Sequence, residues 1–144
     1  MRALLQRVTQ AAVDVGDERV AEIGQGLLVF LGVQPQDDEV TVDWMAEKTL
    51  GLRIFADDEK PMNRSVLDVG GQVLVVSQFT LAADTSKGKR PGFSNAAPPP
   101  LAERLYAAYV AQLSDQCSVQ TGRFGADMQV TLTNDGPATF MLER

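Results

Sequence analysis

The run Leu27-Leu28-Val29-Phe30-Leu31-Gly32-Val33 contains no polar side chain. A strand that shows apolar groups on both faces must be covered on both, so this segment predicts a central strand of a layered sheet. The residues before it read differently. Between Arg2 and Val15, Val8, Ala11, Val13 and Val15 stand among polar partners, the pattern of a long half-buried strand. Gly16-Asp17 turns the chain into a short strand, Val20 to Ile23, and Gly24-Gln25-Gly26 turns it again.

Pro35 to Asp38 breaks the strand pattern. Asp37 or Asp38 is placed to cap a helix that carries Val40, Trp44, Met45, Thr49 and Leu52 and ends near Gly51. The neighbouring acids Asp37, Asp38 and Glu39 suit the electropositive first turn of that helix better than a metal site. A short strand Arg53-Ile54-Phe55, a polar loop Ala56 to Arg64 and a strand Ser65 to Asp68 then lead to the apolar run Gln72 to Val76. Asp57-Asp58-Glu59 read as a solvated loop tip, because no ligand spacing for a divalent cation follows them.

The buried strand leaves the core through Ser77-Gln78-Phe79-Thr80-Leu81. Ala82 to Pro100 is too polar and too rich in Gly and Pro for regular structure, and loops of such length are commonly functional. It holds the one basic cluster of the chain, Lys87-Gly88-Lys89-Arg90. Pro98-Pro99-Pro100 opens a second helix, in which Leu101, Leu105, Tyr109 and Leu113 recur every four residues and form an apolar face. Val119 to Phe124 and Met128 to Thr133 read as a hairpin about Gly125. Asn134-Asp135-Gly136-Pro137-Ala138-Thr139 reads as a turn into a closing strand. The expectation is a single domain, residues 1–144, of α+β class: a largely antiparallel, barrel-like sheet with two helices packed on one face.

Composition narrows the chemistry. The chain has no histidine, which removes Ser-His-Asp and Cys-His catalysis, His-based zinc sites and imidazole acid–base work together. One cysteine, Cys117, rules out an internal disulfide and fits a reducing cytoplasm. No apolar run approaches the length of a membrane span. The net charge of −6 opposes extended binding along a nucleic-acid backbone but permits a local basic patch.

Two segments stand apart from this framework, Ser77-Gln78-Phe79-Thr80-Leu81 and Asn134-Asp135-Gly136-Pro137-Ala138-Thr139. Together they resemble the two signature motifs of the D-aminoacyl-tRNA deacylases, and the opening strand, the Gly24 to Val33 segment, the Lys87 to Phe93 loop and the overall length look like that family throughout. The resemblance implies hydrolysis of the ester joining a D-amino acid, or glycine, to the terminal adenosine of tRNA, by a cytoplasmic homodimer that uses neither metal nor cofactor. Ser77, Gln78, Phe79 and Thr80 would hold the adenosine and the scissile ester. Gly136 and Pro137, joined by a cis peptide, would enter the pocket of the other subunit, where their carbonyl oxygens occupy the space an L side chain needs. Phe93 would line the same region and Arg7 would fix the Gly-Pro turn. Thr80 as nucleophile and the ribose 2′-hydroxyl of the substrate as an aid to the attacking water both remain open. Two positions depart from the family pattern: Gly92 stands where serine is expected and Ala138 where valine is frequent.

A rival expectation is a noncatalytic binder of RNA 3′ ends or adenine nucleotides, with Phe79 and Phe93 as stacking groups and Lys87, Lys89 and Arg90 as a phosphate patch. A general esterase is disfavoured by the lack of histidine and of a Gly-x-Ser-x-Gly segment.

Overall fold

In a computed structural model that describes residues 1–144, strand β1 (Arg2–Val15) serves three partners. Along one edge it pairs antiparallel with β6 (Gln129–Glu143), from Arg2 opposite Glu143 to Asp14 opposite Gln129. Along the other it pairs first with β3 (Gly26–Gly32) and then, beyond Val8, with β2 (Glu18–Ile23). β3 continues in parallel register to β4 (Gln72–Ser77), and β4 to β5 (Val119–Thr121). The expected α+β arrangement is present, with three antiparallel and two parallel pairings.

Helices make the parallel pairings possible, because parallel neighbours need a crossover rather than a tight turn. Helix α1 (Glu39–Gly51) lies between β3 and β4 in the chain, and α2 (Pro99–Ser114) between β4 and β5. This overturns the expected hairpin about Gly125. After α2 the chain returns beside β4, and β6 pairs with β1 instead of with β5. The period of two in β3 and β4 sorts their side chains. Leu27, Val29, Leu31, Val73 and Val75 join Met1, Ala3 and Leu5 in a core shared with both helices. Leu28, Leu74 and Val76 face the opposite way, into a second core with Val8, Ala11, Val13, Ala21 and Ile23. β3 and β4 are thus covered on both sides, as their apolar sequences require.

Three local expectations are corrected. Arg53 to Phe55 is no strand; Phe55 forms only an isolated bridge with Arg64. Ser65 to Asp68 is a turn, in which Ser65 N donates to Asp68 Oδ2 at 2.8 Å and Asp68 N to Ser65 Oγ at 3.2 Å. These short polar side chains satisfy the local backbone and displace a ladder. In α1 the buried residues are Val42, Met45, Ala46, Thr49 and Leu50, while Val40 is 65% exposed. The α1 cap is Asp38, which accepts from Thr41 N at 2.9 Å. Asp37 is buried instead, taking the Met1 amino group at 2.6 Å and Gln34 N at 2.7 Å.

The two helices are joined inside the core by Thr49 Oγ1 and Tyr109 Oη, 2.8 Å apart and fully buried. Burial also holds the Tyr109 hydroxyl far above its ordinary pKa. Removing one partner strands a buried polar group, whereas removing both does not. Tyr109→Phe is therefore expected to destabilise the fold by about 1–3 kcal/mol, and Thr49→Val in the same chain to recover most of that loss, as read by urea denaturation.

Where β4 ends, a single 3-10 turn, Phe79–Ala82, packs against the end of β3. Gly32 permits the approach: a Cβ there would lie 2.9 Å from Gln78 O and 3.0 Å from Leu81 Cβ. One of those obstacles is backbone and cannot rotate away. Gly32→Ala is expected to cost about 1–3 kcal/mol by overpacking, with the largest amide chemical-shift changes confined to Gln78 to Leu81.

Candidate active site

β4 delivers Ser77 to the rim of the sheet, where the strand ends. Gln78 N donates to Leu31 O at 2.8 Å, so the first residue past β4 is still tied to β3. The chain then closes into the 3-10 turn, with Leu81 N on Gln78 O at 3.1 Å and Ala83 N on Thr80 O at 3.1 Å. Arg2 Nη1 holds the far end of the turn through Leu81 O at 2.8 Å. Phe79 and Thr80 begin the turn, so their N–H groups have no acceptor within it, and no side chain caps it.

Beside this turn lies a cleft of about 730 Å³. Ser77, Gln78 and Phe79 form one wall, Phe93 to Pro99 contributes the second, and the segment Phe124 to Met128 the third. Most of the lining is apolar, and Asp127 is its single ionisable residue. Phe79 and Phe93 meet edge to face with ring centroids 5.1 Å apart, yet both remain exposed, at 53% and 43%. Tyr106 lies behind Phe124 and donates its hydroxyl to Val75 O at 2.9 Å; burial pushes that phenol up to about 12.

The long loop is organised about one bridge. Asp84 and Gly92 exchange backbone hydrogen bonds of 2.8 and 2.9 Å, which pin the base of the basic segment and bring Phe93 to the cleft. The Asp84 carboxylate accepts from Ser86 N at 2.9 Å, and the hydrogen bonds from Ser86 hold its pKa below the usual carboxylate value. A Cβ at Gly92 would find its nearest obstacle at 3.9 Å, so glycine is not a steric requirement there.

Thr80 is exposed and is not on the wall of the cleft. Its hydroxyl accepts a hydrogen bond from the Gln78 side-chain amide. An amide N–H is a donor only and cannot take the threonine proton. Nothing in that contact activates Thr80 as a nucleophile.

The second segment takes a form the sequence did not suggest. Asn134 to Thr139 is no turn between two strands, because the residues on either side of it pair with the same strand in the same direction. Asn134 stands opposite Val8 and Thr139 opposite Gln6, so Asp135, Gly136, Pro137 and Ala138 bulge out opposite Arg7 alone. The Gly136-Pro137 peptide is cis. Arg7, its side chain 12% exposed, braces the bulge: Nε lies 3.1 Å from Asp135 O and 2.9 Å from Asp135 Oδ2, and Nη1 reaches Ile54 O. Asn134 Nδ2 closes it from within, donating to Arg7 O at 2.9 Å and Ala138 O at 3.3 Å. Ala138 is buried, while Gly136 and Pro137 are exposed.

Within one chain, then, Ser77, Gln78, Phe79 and Phe93 come together at the cleft, and Arg7, Gly136 and Pro137 form a separate cluster that does not line it. The third wall, Phe124 to Met128, is hidden in the sequence, where that stretch reads as part of a hairpin. The crossover through α2 is the signal that relocates it.

A family model described as D-Tyr-tRNA(Tyr) deacylase matches residues 4–143. The D-aminoacyl-tRNA deacylase of Pasteurella multocida is 58% identical over 143 residues, covering 99% of both chains. That of Teredinibacter turnerae is 58% identical over 144 residues, with 99% of each chain covered. A solved structure described as a c-Myc DNA unwinding element binding protein is 40% identical, with a TM-score of 0.94 over 100% of this chain and 99% of that one. Another, described as a probable eukaryotic D-amino acid tRNA deacylase, shares the fold at 19% identity and a TM-score of 0.82, over 98% and 97% of the two chains. The match runs through β1, the segment that ends β4 and the bulge of β6 alike, and on that basis the chain belongs to the D-aminoacyl-tRNA deacylases, a family of hydrolases.

Proposed function

We propose that this chain frees tRNA of D-amino acids, and of glycine, by hydrolysing the ester at the terminal adenosine, and that its selectivity for handedness resides in Gly136-Pro137. The observation that carries the second part is the bulge itself: two residues without polar side chains, exposed and braced by Arg7 and Asn134. A braced backbone can act as a wall. An L side chain would collide with its carbonyl oxygens, whereas the D enantiomer points its side chain away and need not have it recognised. Because the bulge does not line the cleft of its own chain, the wall is supplied by a second copy, and the working enzyme is a homodimer.

The cleft supplies the rest. Phe79 and Phe93 present aromatic surface to the adenine ring, a contact worth about 1–3 kcal/mol per base. The N–H groups of Phe79 and Thr80, with no acceptor in their own turn, are suited to polarise the ester carbonyl as charge develops on its oxygen. Water attacks the carbonyl carbon, the bond to the ribose oxygen breaks, and that oxygen takes the proton, leaving free amino acid and tRNA. With no histidine in the chain and only an amide beside Thr80, the substrate's own 2′-hydroxyl positions the water. The protein contributes orientation, which is sufficient for large rate gains. No metal or cofactor takes part. The activity corrects mischarged tRNA in the cytoplasm, in keeping with a single free cysteine.

Ester loss from D-tyrosyl-tRNA and L-tyrosyl-tRNA tests the reading directly. Rapid loss from the D form alone is expected, undiminished by a chelator; equal rates on the two, or none on either, would contradict it. Gly136→Ala tests the wall. A Cβ there would lie 2.7 Å from Asn134 Oδ1, displacing the side chain that closes the bulge. The expected loss of deacylation is on the order of 100-fold, the scale of a misplacement of about 1 Å, with little change in melting temperature. Wild-type turnover by this variant would remove the bulge from the mechanism.

A further inference from the structure

Lys87, Lys89 and Arg90 are all exposed, and none of them forms an ion pair. In a chain of net charge −6 this is unusual company. Arg2, Arg7, Arg19, Arg104 and Arg123 are paired with carboxylates. Arg53 and Arg64 donate to Asn63 and Asp68, and Lys48 and Arg144 lie over the Trp44 ring. Only at this loop do uncommitted cations cluster. The nearest acid in the loop, Asp84, is occupied by Ser86. The Asp84–Gly92 bridge fixes the base of the loop, and Gly88 at φ 72° lets its tip fold back.

The tip is also close to the cleft by construction. Arg90 precedes Phe93 by three residues, so their Cα atoms are at most about 11 Å apart. A terminal adenosine held between Phe79 and Phe93 must be followed out of the cleft by its own sugar-phosphate chain. We propose that Lys87, Lys89 and Arg90 bind the phosphodiesters of the nucleotides that immediately precede that adenosine. The inference rests on the cleft as a holder of an RNA 3′ end, and it adds the element that separates tRNA from a free aminoacyl nucleoside. Elsewhere the acidic surface repels RNA, so the basic tip sets the path of the strand as well as its affinity.

The test reads binding, not turnover. Fluorescence anisotropy with a labelled single-stranded RNA hexamer ending in adenosine compares wild type, K87Q/K89Q/R90Q and K87R/K89R/R90K across a salt series. Each phosphate contact on a single strand contributes a slope of about 0.7 in log Kd against log salt. The neutral variant is expected to bind on the order of tenfold more weakly at low salt and to have a slope smaller by about 2. The charge-preserving variant should match wild type. Equal slopes in wild type and the neutral variant overturn the proposal, as does loss of binding in the charge-preserving variant or equal displacement of the RNA by a poly-aspartate of the same charge. The two readings fail separately. Intact slope differences without ester hydrolysis sink the catalytic reading alone, and D-specific hydrolysis with equal slopes sinks this one alone.

Discussion

The ladder between β1 and β6 is the constraint on which the rest depends. It holds one antiparallel direction from Arg2 and Glu143 to Asp14 and Gln129, yet leaves out Asp135 to Ala138. A ladder that resumes on both sides of an excursion cannot let the excursion drift. Arg7, the single β1 residue opposite the gap, fills it with a guanidinium bonded to the backbone and carboxylate of Asp135. Much of that side chain is out of water, where a charge is tolerated only with partners of this quality. The sheet thus places Gly136 and Pro137 with the fixity of a strand while leaving them as exposed as a loop.

The same strand explains why the fold has two cores. β1 is long enough to serve β3 with its first half and β2 with its second, and its buried side chains follow: Ala3 and Leu5 towards the helices, Val8, Ala11 and Val13 towards β2 and β6. Register slips at Gln6 to Gln10 accompany the change of face. Past Gln72 at its start, β4, like β3 covered from both directions, has no face left for polar residues until it runs out at Ser77. The polar groups of the Ser77 to Leu81 segment therefore collect at the edge of the sheet, where a cleft can form.

Much of this was legible in the residues. The doubly apolar Leu27 to Val33 run gave a buried central strand, the four-residue spacing from Leu105 to Leu113 gave the inner face of α2, and the lack of histidine narrowed the chemistry before any fold was known. Two of the failures share one cause, which is that local signals do not carry long-range pairing. Gly125 and Gly136-Pro137 both look like turns because glycine and proline release the backbone wherever they occur. The first is a turn in a connection between strands that never pair with each other. The second is a bulge within one strand, distinguishable from a turn only once β1 is known to pair on both sides. Ser65 to Asp68 failed for a different reason, since its side chains bond its own backbone.

The bulge at Gly136-Pro137 and the loop from Lys87 to Phe93 divide the proposed chemistry in a way that charge alone would not. On the proposed reading, a surface that refuses L-amino acids of every kind gains nothing from side chains that recognise particular residues, so it is best built from backbone, and backbone is only as selective as it is rigid. Arg7 and Asn134 supply that rigidity at Gly136, from outside the cleft of their own chain. The RNA end has the opposite requirement. Its identity lies in adenine and phosphate, which aromatic and cationic side chains bind well, and these are found on the loop from Lys87 to Phe93, anchored at the Asp84–Gly92 bridge. In that proposal, recognition by side chains on the loop and rejection by backbone on the strand can be adjusted independently, because no residue is shared between them.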